Sequence, residues 1–447
     1  MATKTPKMRS YLAAVTSFEA GTASPRSFLE DCLASIDELE PEVGAFVAKN
    51  IKGARLAADF ASKRWKDGDM RSLIDGMPLC IKDIMETADM PTGQGSDLFT
   101  GWEGKRDCAA VAALRESGGV ILGKAVTTEF ASQPARGTRN PWDLKRTPGG
   151  SSSGTAASVG CGMVPGGLGT QGLGSTIRPA SFCGVFAFKP SLGGINRGGS
   201  FDYLSQSCST IFAATLEETW ILAREIVSRV GGDPGFKGVS GPIKPPPSKK
   251  PGRVVVLETE GWFKAEGGAR EALAEARSRL TGSGIEVVDK SNHSGVLALE
   301  NAIEGGVNLT GGINSWEFRW PLNTYARDMD SNKLSREAQD RLAFSEAMTH
   351  DDYKELINKR SEIRDIYGML NTDADVFVTL SAPGPAPVGL EWTGDAVFAV
   401  PSSILGTPSF SLPVLQVEGL PLGLQVMGFT DEDALTFSAA RAILDLF

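Results

Sequence analysis

Histidine is almost absent from this chain of 447 residues, which has only His293 and His350. His293 lies in a polar segment and His350 stands beside two aspartates, so we expect both at the surface. Zinc and related metal enzymes usually recruit several histidine or cysteine ligands. The sequence therefore predicts no metal ion and no other cofactor.

Cysteine is also sparse. None of the six cysteines lies within four positions of another: Cys32, Cys80, Cys108, Cys161, Cys183 and Cys208. This spacing excludes the paired motifs of zinc knuckles and redox enzymes, and six cysteines are too few for a disulfide scaffold. We predict free, mostly buried thiols in a reducing cytosol, and hence a cytoplasmic protein.

Long apolar runs are missing as well. The basic segment Met1–Arg9 is followed by an apolar run, Tyr11–Val15, that is too short for a signal peptide, and no run of 18 uncharged apolar residues occurs. With 45 basic and 54 acidic residues, the net charge of −9 argues against binding to nucleic acid or to an anionic membrane. A small-molecule partner is expected instead.

The chain otherwise has an ordinary globular composition, with 41% apolar and 22% charged residues. Strand and helix patterns alternate, which indicates an α/β fold. Helices are predicted over 11–19, 27–39, 109–117, 215–230, 267–280, most of 300–370 and 431–446. Strands are predicted over 77–84, 120–126, 253–258, 285–288 and 376–380, and the Pro- and Lys-rich segment Gly241–Gly252 is expected to be an exposed linker.

Residues 147–199 form a glycine-rich block, with glycine at 15 of 53 positions. Such density favours tight turns and close backbone approach over regular helix. The block contains Gly150–Gly154, which matches the GxSxG nucleophile elbow centred on Ser152. That elbow requires a preceding strand and a histidine base, and the sequence offers neither nearby.

The block also contains Gly167–Gly172, which matches the GxGxxG pattern of dinucleotide-binding sites. Such a site needs an acidic residue about 20 positions later to bind the ribose. No Asp or Glu occurs between Leu144 and Phe201, so the match is attributed to glycine richness. A phosphate-binding loop is excluded too, because no lysine follows Gly154.

The remaining chemistry is a serine nucleophile with a base other than histidine. Lysine serves as a base when burial keeps it uncharged. Lys82 closes the apolar run Pro78–Ile81, so burial is plausible there. The alternative is a strand-end lysine that pairs with Asp83 or another nearby acid.

Several separate motifs together resemble the amidase signature family, and they span about residues 8–447. They are Pro78–Asp83, Thr138–Trp142, Gly149–Gly154, Gly169–Ala180, Cys183–Gly184, Lys189–Ser191 and Gly419–Gln425. The resemblance implies an α/β fold with a large mixed, mostly parallel central sheet covered by helices on both faces. It also implies a single domain over 1–447, with a catalytic core over about 65–230 and a second α/β portion over about 250–447.

The resemblance assigns roles to particular residues. Ser175 corresponds to the nucleophile, Ser151 to a bridging serine with a cis peptide bond, and Lys82 to the base. The turn Gly172–Leu173–Gly174 corresponds to an oxyanion hole. Ser152 corresponds to a supporting serine, and Arg178 either binds an anionic substrate or anchors the loop.

Some positions depart from the family pattern. Leu173 and Gly172 differ in size from the usual residues, Ala187 replaces a common glycine, and Gln171 stands where many members have Asp. These departures affect the substrate range rather than the catalytic residues.

The family resemblance implies a hydrolase that cleaves C–N bonds of amides, aryl amides or carbamates (urethanes), acting as a monomer or homodimer. The alternative is a glutaminase-type subunit of a tRNA amidotransferase-like assembly, whose members usually have Asp at the position of Gln171. Four aromatic residues either line an apolar pocket or belong to the core: Trp316, Phe318, Trp320 and Trp392.

Overall fold

The computed structural model describes residues 5–447, so part of the basic segment Met1–Arg9 lies outside the described residues. Within residues 5–447, eleven strands form one sheet. The strands are β1 (Phe46–Lys49), β2 (Pro78–Lys82), β3 (Val120–Ala125), β4 (Gly166–Gln171), β5 (Phe186–Lys189), β6 (Cys208–Ala213), β7 (Arg253–Val256), β8 (Glu286–Val288), β9 (Val376–Leu380), β10 (Ser409–Val417) and β11 (Leu420–Met427).

Helices flank this sheet. They are α1 (Leu12–Glu19), α2 (Pro25–Val43), α3 (Ile51–Asp67), α4 (Ala109–Glu116), α5 (Ser153–Gly160), α6 (Ile177–Cys183), α7 (Leu216–Val230), α8 (Gly261–Lys264), α9 (Gly267–Gly282), α10 (Ser294–Ile303), α11 (Gly306–Asp328), α12 (Arg336–Ala347), α13 (His350–Gly368), α14 (Val400–Leu405) and α15 (Asp433–Leu444). Local sequence sets their ends: α2 begins at a capping box formed by Ser24 and Ser27, and ends at Gly44 in the left-handed conformation.

The strand order is β1-β3-β2-β4-β6-β5-β10-β11-β9-β7-β8. The predicted mixed α/β sheet with flanking helices is confirmed. The expectation that it would be mostly parallel is wrong, because six of the ten neighbouring pairs in the described chain are antiparallel. Parallel pairing is confined to β2–β3, β2–β4, β7–β8 and β7–β9. Strands β6, β10 and β11, which make most of the antiparallel contacts, were not predicted from the sequence.

Most predicted elements are present within a few residues of their expected bounds, and Gly241–Gly252 is largely exposed as expected. The expectation for 147–199 was wrong in part. The glycine-rich block contains two short helices, α5 and α6, and two strands, β4 and β5. Its glycines permit tight packing between these elements rather than preventing them: a Cβ on Gly154 would lie 2.2 Å from the carbonyl oxygen of Ala45.

The three adjacent strands β3, β2 and β4 run parallel and are fully buried. Parallel strands end at the same edge of a sheet, and ligands commonly bind beyond that edge. The ends of β2 and β4 therefore place Lys82 and the segment after Gln171 side by side. Strands from both of the expected portions of the chain join this one sheet.

All six cysteines are free and buried, as predicted. Within residues 5–447, no helix combines the length and apolar composition needed to span a bilayer.

Candidate active site

The candidate base, Lys82, lies at the end of β2 with its side chain fully buried. Its Nζ lies 2.7 Å from Ser151 Oγ and 2.8 Å from Thr170 Oγ1. Burial lowers the pKa of Lys82 to about 7, and the negative charge of Asp202 opposes this shift. A substantial fraction of Lys82 is therefore uncharged at neutral pH, as a base must be.

The pairing of Lys82 with Asp83, considered from sequence, is wrong. The Asp83 carboxylate lies 3.0 Å from Lys124 Nζ and accepts a hydrogen bond from the backbone N–H of Gly93. Lys82 is the last residue of β2 and Asp83 lies in the turn after it, so the two side chains have different partners. Asp202 is the acid that acts on Lys82.

The bridging position, Ser151, lies in the loop before α5. The peptide bond between Gly150 and Ser151 is cis, as the resemblance implied. Gly149 has a φ of +81°, a conformation that glycine adopts readily. The loop thus brings Ser151 Oγ against the buried Lys82 amine.

Arg178 holds this loop in place. Its guanidinium donates hydrogen bonds to the carbonyl oxygen of Gly150 at 2.6 Å, to the carbonyl oxygen of Gly394 at 2.7 Å and to Thr393 Oγ1 at 3.0 Å. Burial lowers the pKa of Arg178 to about 10. These contacts favour the anchoring role over the binding of an anionic substrate.

The candidate nucleophile, Ser175, lies in the turn between β4 and α6 and faces the same cavity as Ser151. Its Oγ forms no hydrogen bond with any residue of 5–447, so no hydrogen bond joins Ser175 to Ser151 in this structure. Catalytic hydrogen bonds are often long before substrate binds. Ser152 ties the two loops together: its N–H lies 3.4 Å from the Ser175 carbonyl oxygen, and its Oγ accepts from the Thr170 N–H at 3.3 Å.

The turn Gly172–Leu173–Gly174 presents unpaired backbone donors. The N–H groups of these three residues donate no hydrogen bond within the described chain, and Gly172 and Leu173 line the cavity. Gly174 is held against Ala396, where an added Cβ would lie 2.7 Å from the alanine Cβ. Preorganised donors of this kind can stabilise a developing oxyanion.

Gln171 fixes the shape of this turn. Its Oε1 accepts hydrogen bonds from the N–H groups of Thr176 at 3.0 Å and Ile177 at 2.9 Å. Its Nε2 donates to the hydroxyls of Ser402 at 3.2 Å and Ser403 at 3.1 Å. From the sequence, Gln171 stood out only as a departure from the family pattern, because these serines are more than 200 residues away.

The cavity beyond Ser175 has a volume of about 660 Å³, in the range of small-molecule sites. Five aromatic side chains line it: Phe130, Phe201, Phe318, Phe344 and Trp392. Of the four aromatics singled out from the sequence, Phe318 and Trp392 therefore line the cavity. The interpretation of Trp316 and Trp320 as lining residues is wrong: Trp316 stacks on Tyr353, and Trp320 is exposed.

Several charged residues that were not predicted from the sequence also line the cavity, and Asp202 and Arg341 are two of them. Arg341 donates to the carbonyl oxygen of Asn314 at 2.8 Å and packs over the ring of Phe318. Neither residue belongs to a recognised motif, so no local signal marked them.

The two histidines lie away from this cavity. His350 is exposed, and His293 accepts a hydrogen bond at the start of α10. Within residues 5–447, no group of three or more His, Cys, Asp or Glu side chains is arranged to hold a metal ion.

Known proteins resemble this chain in sequence and in fold. The family model described as Amidase matches residues 27–437. A glutamyl-tRNA(Gln) amidotransferase subunit from Anaeromyxobacter sp. (strain K) is 31% identical, with 95% of this chain and 93% of the relative covered. A solved structure described as an amidase superposes with a TM-score of 0.84 at 25% identity, covering 98% of this chain and 99% of its own. A bacterial aryl acylamidase of the amidase signature enzymes superposes with a TM-score of 0.83 at 17% identity, covering 99% and 97%, and shares the fold.

Proposed function

The chain belongs to the amidase signature family, and we propose that this amide hydrolase forms a seryl acyl-enzyme on Ser175, with Lys82 as base acting through Ser151. The observation that carries the proposal is the 2.7 Å contact between the buried Lys82 amine and Ser151 Oγ, at the cavity that Ser175 faces. Serine needs an adjacent base to act as a nucleophile, and Lys82 supplies one without histidine.

In the proposed acylation, the hydroxyl of Ser151 passes a proton from Ser175 to Lys82. Ser175 Oγ attacks the substrate carbonyl carbon while its proton passes to Ser151, and the Ser151 proton passes to Lys82. The N–H groups of Gly172, Leu173 and Gly174 stabilise the oxyanion. Lys82 then returns a proton through Ser151 to the departing nitrogen, and water hydrolyses the ester on Ser175.

The lining of the cavity supports aryl amides and carbamates as the substrate class. Aromatic rings line the cavity that Ser175 faces, and two of them, Phe344 and Trp392, remain more than half exposed. Aromatic pairs contribute beyond simple area burial. Cleavage of a carbamate at its C–N bond requires the same attack on a carbonyl carbon: the amine leaves and the alkoxycarbonyl group stays on Ser175 until water hydrolyses it.

In the experiment, the purified chain is given three substrates: an anilide and an alkyl amide with the same acyl group, and an N-aryl carbamate. The proposal expects kcat/KM to be highest for the two aryl compounds, and Ser175→Ala to abolish all three activities. Preference for the alkyl amide would contradict the aryl assignment while leaving the acyl-enzyme chemistry intact.

A second candidate is the glutaminase-type component of an amidotransferase-like assembly. The sequence relatives support it, since the amidotransferase component from Anaeromyxobacter is 31% identical over 95% of this chain. The discriminating measurement is release of ammonia from glutamine by the purified chain, with the anilide as the parallel substrate. Glutamine cleavage without anilide cleavage would favour this candidate.

The cytoplasmic location and the monomeric or homodimeric state stay predictions. The six free, buried thiols support a reducing compartment.

A further inference from the structure

Asp202 brings a buried negative charge to the cavity wall. Its side chain is 6% exposed, and Oδ2 is buried with no hydrogen-bond partner among residues 5–447. The segment that carries it is held by Arg197, whose guanidinium donates to the Asp202 carbonyl oxygen at 3.4 Å, and by Ser200, whose Oγ accepts from the Asp202 N–H at 3.2 Å. A buried charge with an unpaired oxygen is costly, so its position calls for a reason.

The proton count on Lys82 supplies that reason. An uncharged amine has two N–H bonds and one lone pair, and the lone pair faces Ser151 when that serine donates. One N–H is satisfied by Thr170 Oγ1. Once the proton of Ser151 arrives, Lys82 is an ammonium with three N–H bonds in a site that excludes water. Such a buried cation is strongly disfavoured unless a negative charge lies close by.

We propose that Asp202 is a positioning residue that supplies this negative charge and stabilises the ammonium form of Lys82 during acylation of Ser175. The inference rests on the proposed function, because it assumes that Lys82 is the base. Thr170 links the two groups: its Oγ1 accepts a hydrogen bond from Lys82, and its hydroxyl is one of the groups that oppose the rise in the pKa of Asp202.

The charges around Asp202 and Lys82 agree with this role. Burial raises the pKa of Asp202, and Arg197, the Ser207 hydroxyl, Lys82 and the Thr170 hydroxyl oppose that rise, in that order. Arg197 is itself paired with Asp233 at 2.6 Å. Asp202 is the one charged group that acts on the pKa of Lys82 within the described residues, and it raises that pKa against burial.

The test uses a fluorophosphonate probe, which reacts with an activated serine whatever the natural substrate. The Ser175 oxygen forms a bond to phosphorus, fluoride leaves, and the serine proton passes to Lys82. Intact-mass spectrometry gives the labelling rate constant as a function of pH for the wild type and for Asp202→Asn, which keeps the shape but removes the charge.

Two changes are expected in Asp202→Asn. The rising limb of the pH profile moves to lower pH, because the charge that favoured the ammonium is gone. The plateau rate falls about tenfold, because Lys82 becomes a weaker base. A uniform loss of rate with an unmoved limb would indicate a structural role and would overturn the inference.

The control variant is Asp340→Asn, which removes another carboxylate from the cavity wall. Asp340 is exposed and does not act on the pKa of Lys82; its partner is Arg336 at 2.9 Å. The rising limb of the pH profile of Asp340→Asn should stay at the wild-type pH. An equal displacement in Asp340→Asn would mean that any loss of negative charge in the cavity suffices, which contradicts a specific role for Asp202.

A double-mutant cycle of Asp202→Asn with Thr170→Val tests the link through Thr170 separately from any general loss of activity. If Asp202 acts through Thr170, the double variant should lose far less rate than the product of the two single losses. Multiplicative losses would contradict the link through Thr170. A failure of the proposed function gives a different result. If Lys82 is not the base, Lys82→Ala leaves the rising limb of the wild-type pH profile in place.

Discussion

Lys82 Nζ and Ser151 Oγ lie 2.7 Å apart in a buried environment, and Thr170 accepts a second hydrogen bond from the same amine. The strand that carries Lys82 ends beside the strand that carries Thr170, so the contact between Lys82 and Thr170 follows from the parallel pairing of β2 and β4. No carboxylate of residues 5–447 forms a salt bridge with this amine, and its burial lowers the pKa of Lys82 to about 7. The proposed catalysis depends on this relationship.

The pH dependence of activity follows from that value. Lys82 accepts a proton only when uncharged, and its depressed pKa means that the uncharged form predominates above about pH 7. We expect kcat/KM to rise with pH through one ionisation near pH 7 and to level off on the alkaline side. Steady-state kinetics over pH 5–10 measure this limb, and a rise near pH 10 would mean that Lys82 titrates as an ordinary lysine.

An ordinary histidine titrates near pH 6.5, so the limb alone does not identify the base. The double variant His293→Asn with His350→Asn provides the control. Both side chains lie away from the cavity, and the limb should remain in place. If the double variant lost the rise of kcat/KM near pH 7, the base would be a histidine and not Lys82.

Ser151→Ala should reduce kcat by about 10²–10⁴-fold, because the relay loses the hydroxyl that both accepts and donates the proton. The neighbouring variants Ser152→Ala and Ser153→Ala serve as matched controls. Ser152 bonds to the backbone of Thr170, and Ser153 donates to the Val126 carbonyl oxygen at 3.3 Å. Their losses should be smaller, and equal losses at all three positions would mean that the loop only needs polar side chains.

Gln171→Leu should destabilise the nucleophile turn. It leaves the N–H groups of Thr176 and Ile177 buried without an acceptor, at a cost of roughly 1–3 kcal/mol each. We expect a lower free energy of unfolding in urea together with lower kcat. Gln171→Glu keeps an acceptor oxygen and should retain more of both. A larger loss in Gln171→Glu would show that the Nε2 bonds to Ser402 and Ser403 matter more.

Trp392→Ala should raise KM for aryl substrates about two- to tenfold with little change in kcat, since an aromatic pair contributes roughly 0.5–1.5 kcal/mol. Trp392 lines the cavity at its exposed edge. Trp320→Ala is the control, because Trp320 is more exposed and lies outside the cavity lining. Equal effects of the two substitutions on KM would remove Trp392 from the substrate site.

Local patterns in the sequence predicted much of the fold. Apolar runs predicted the buried strands β2, β3, β7 and β9, and capping and periodicity predicted most helices. Strands β6, β10 and β11 were missed, and five of the six antiparallel pairs in the described chain involve them. Which strands pair over 200 residues of chain depends on the packing of the whole sheet, and local periodicity does not report it.

The residues of the candidate site also fall into two groups, those inside the sequence motifs and those outside them. Lys82, Ser151, Ser175 and Arg178 lie in dense motifs, so the resemblance located them by position. Asp202 lies outside those motifs, and its contact with the site depends on how residues 200–207 pack against β4. The pairing of Lys82 with Asp83 was an open alternative from the sequence, and it fails because Asp83 follows the end of β2 and pairs with Lys124.

The most direct test of the proposed chemistry is the site of covalent modification. The chain is incubated with an O-aryl carbamate, from which attack by a serine expels the phenoxide and leaves the carbamoyl group on the serine. The reaction is quenched, and the carbamoylated peptide is mapped by tandem mass spectrometry for the wild type, Ser175→Ala and Lys82→Ala. The mechanism predicts a single adduct on Ser175 in the wild type, no adduct in Ser175→Ala, and formation slowed by at least about 10²-fold in Lys82→Ala. An adduct on another serine, or an unchanged rate in Lys82→Ala, would contradict it.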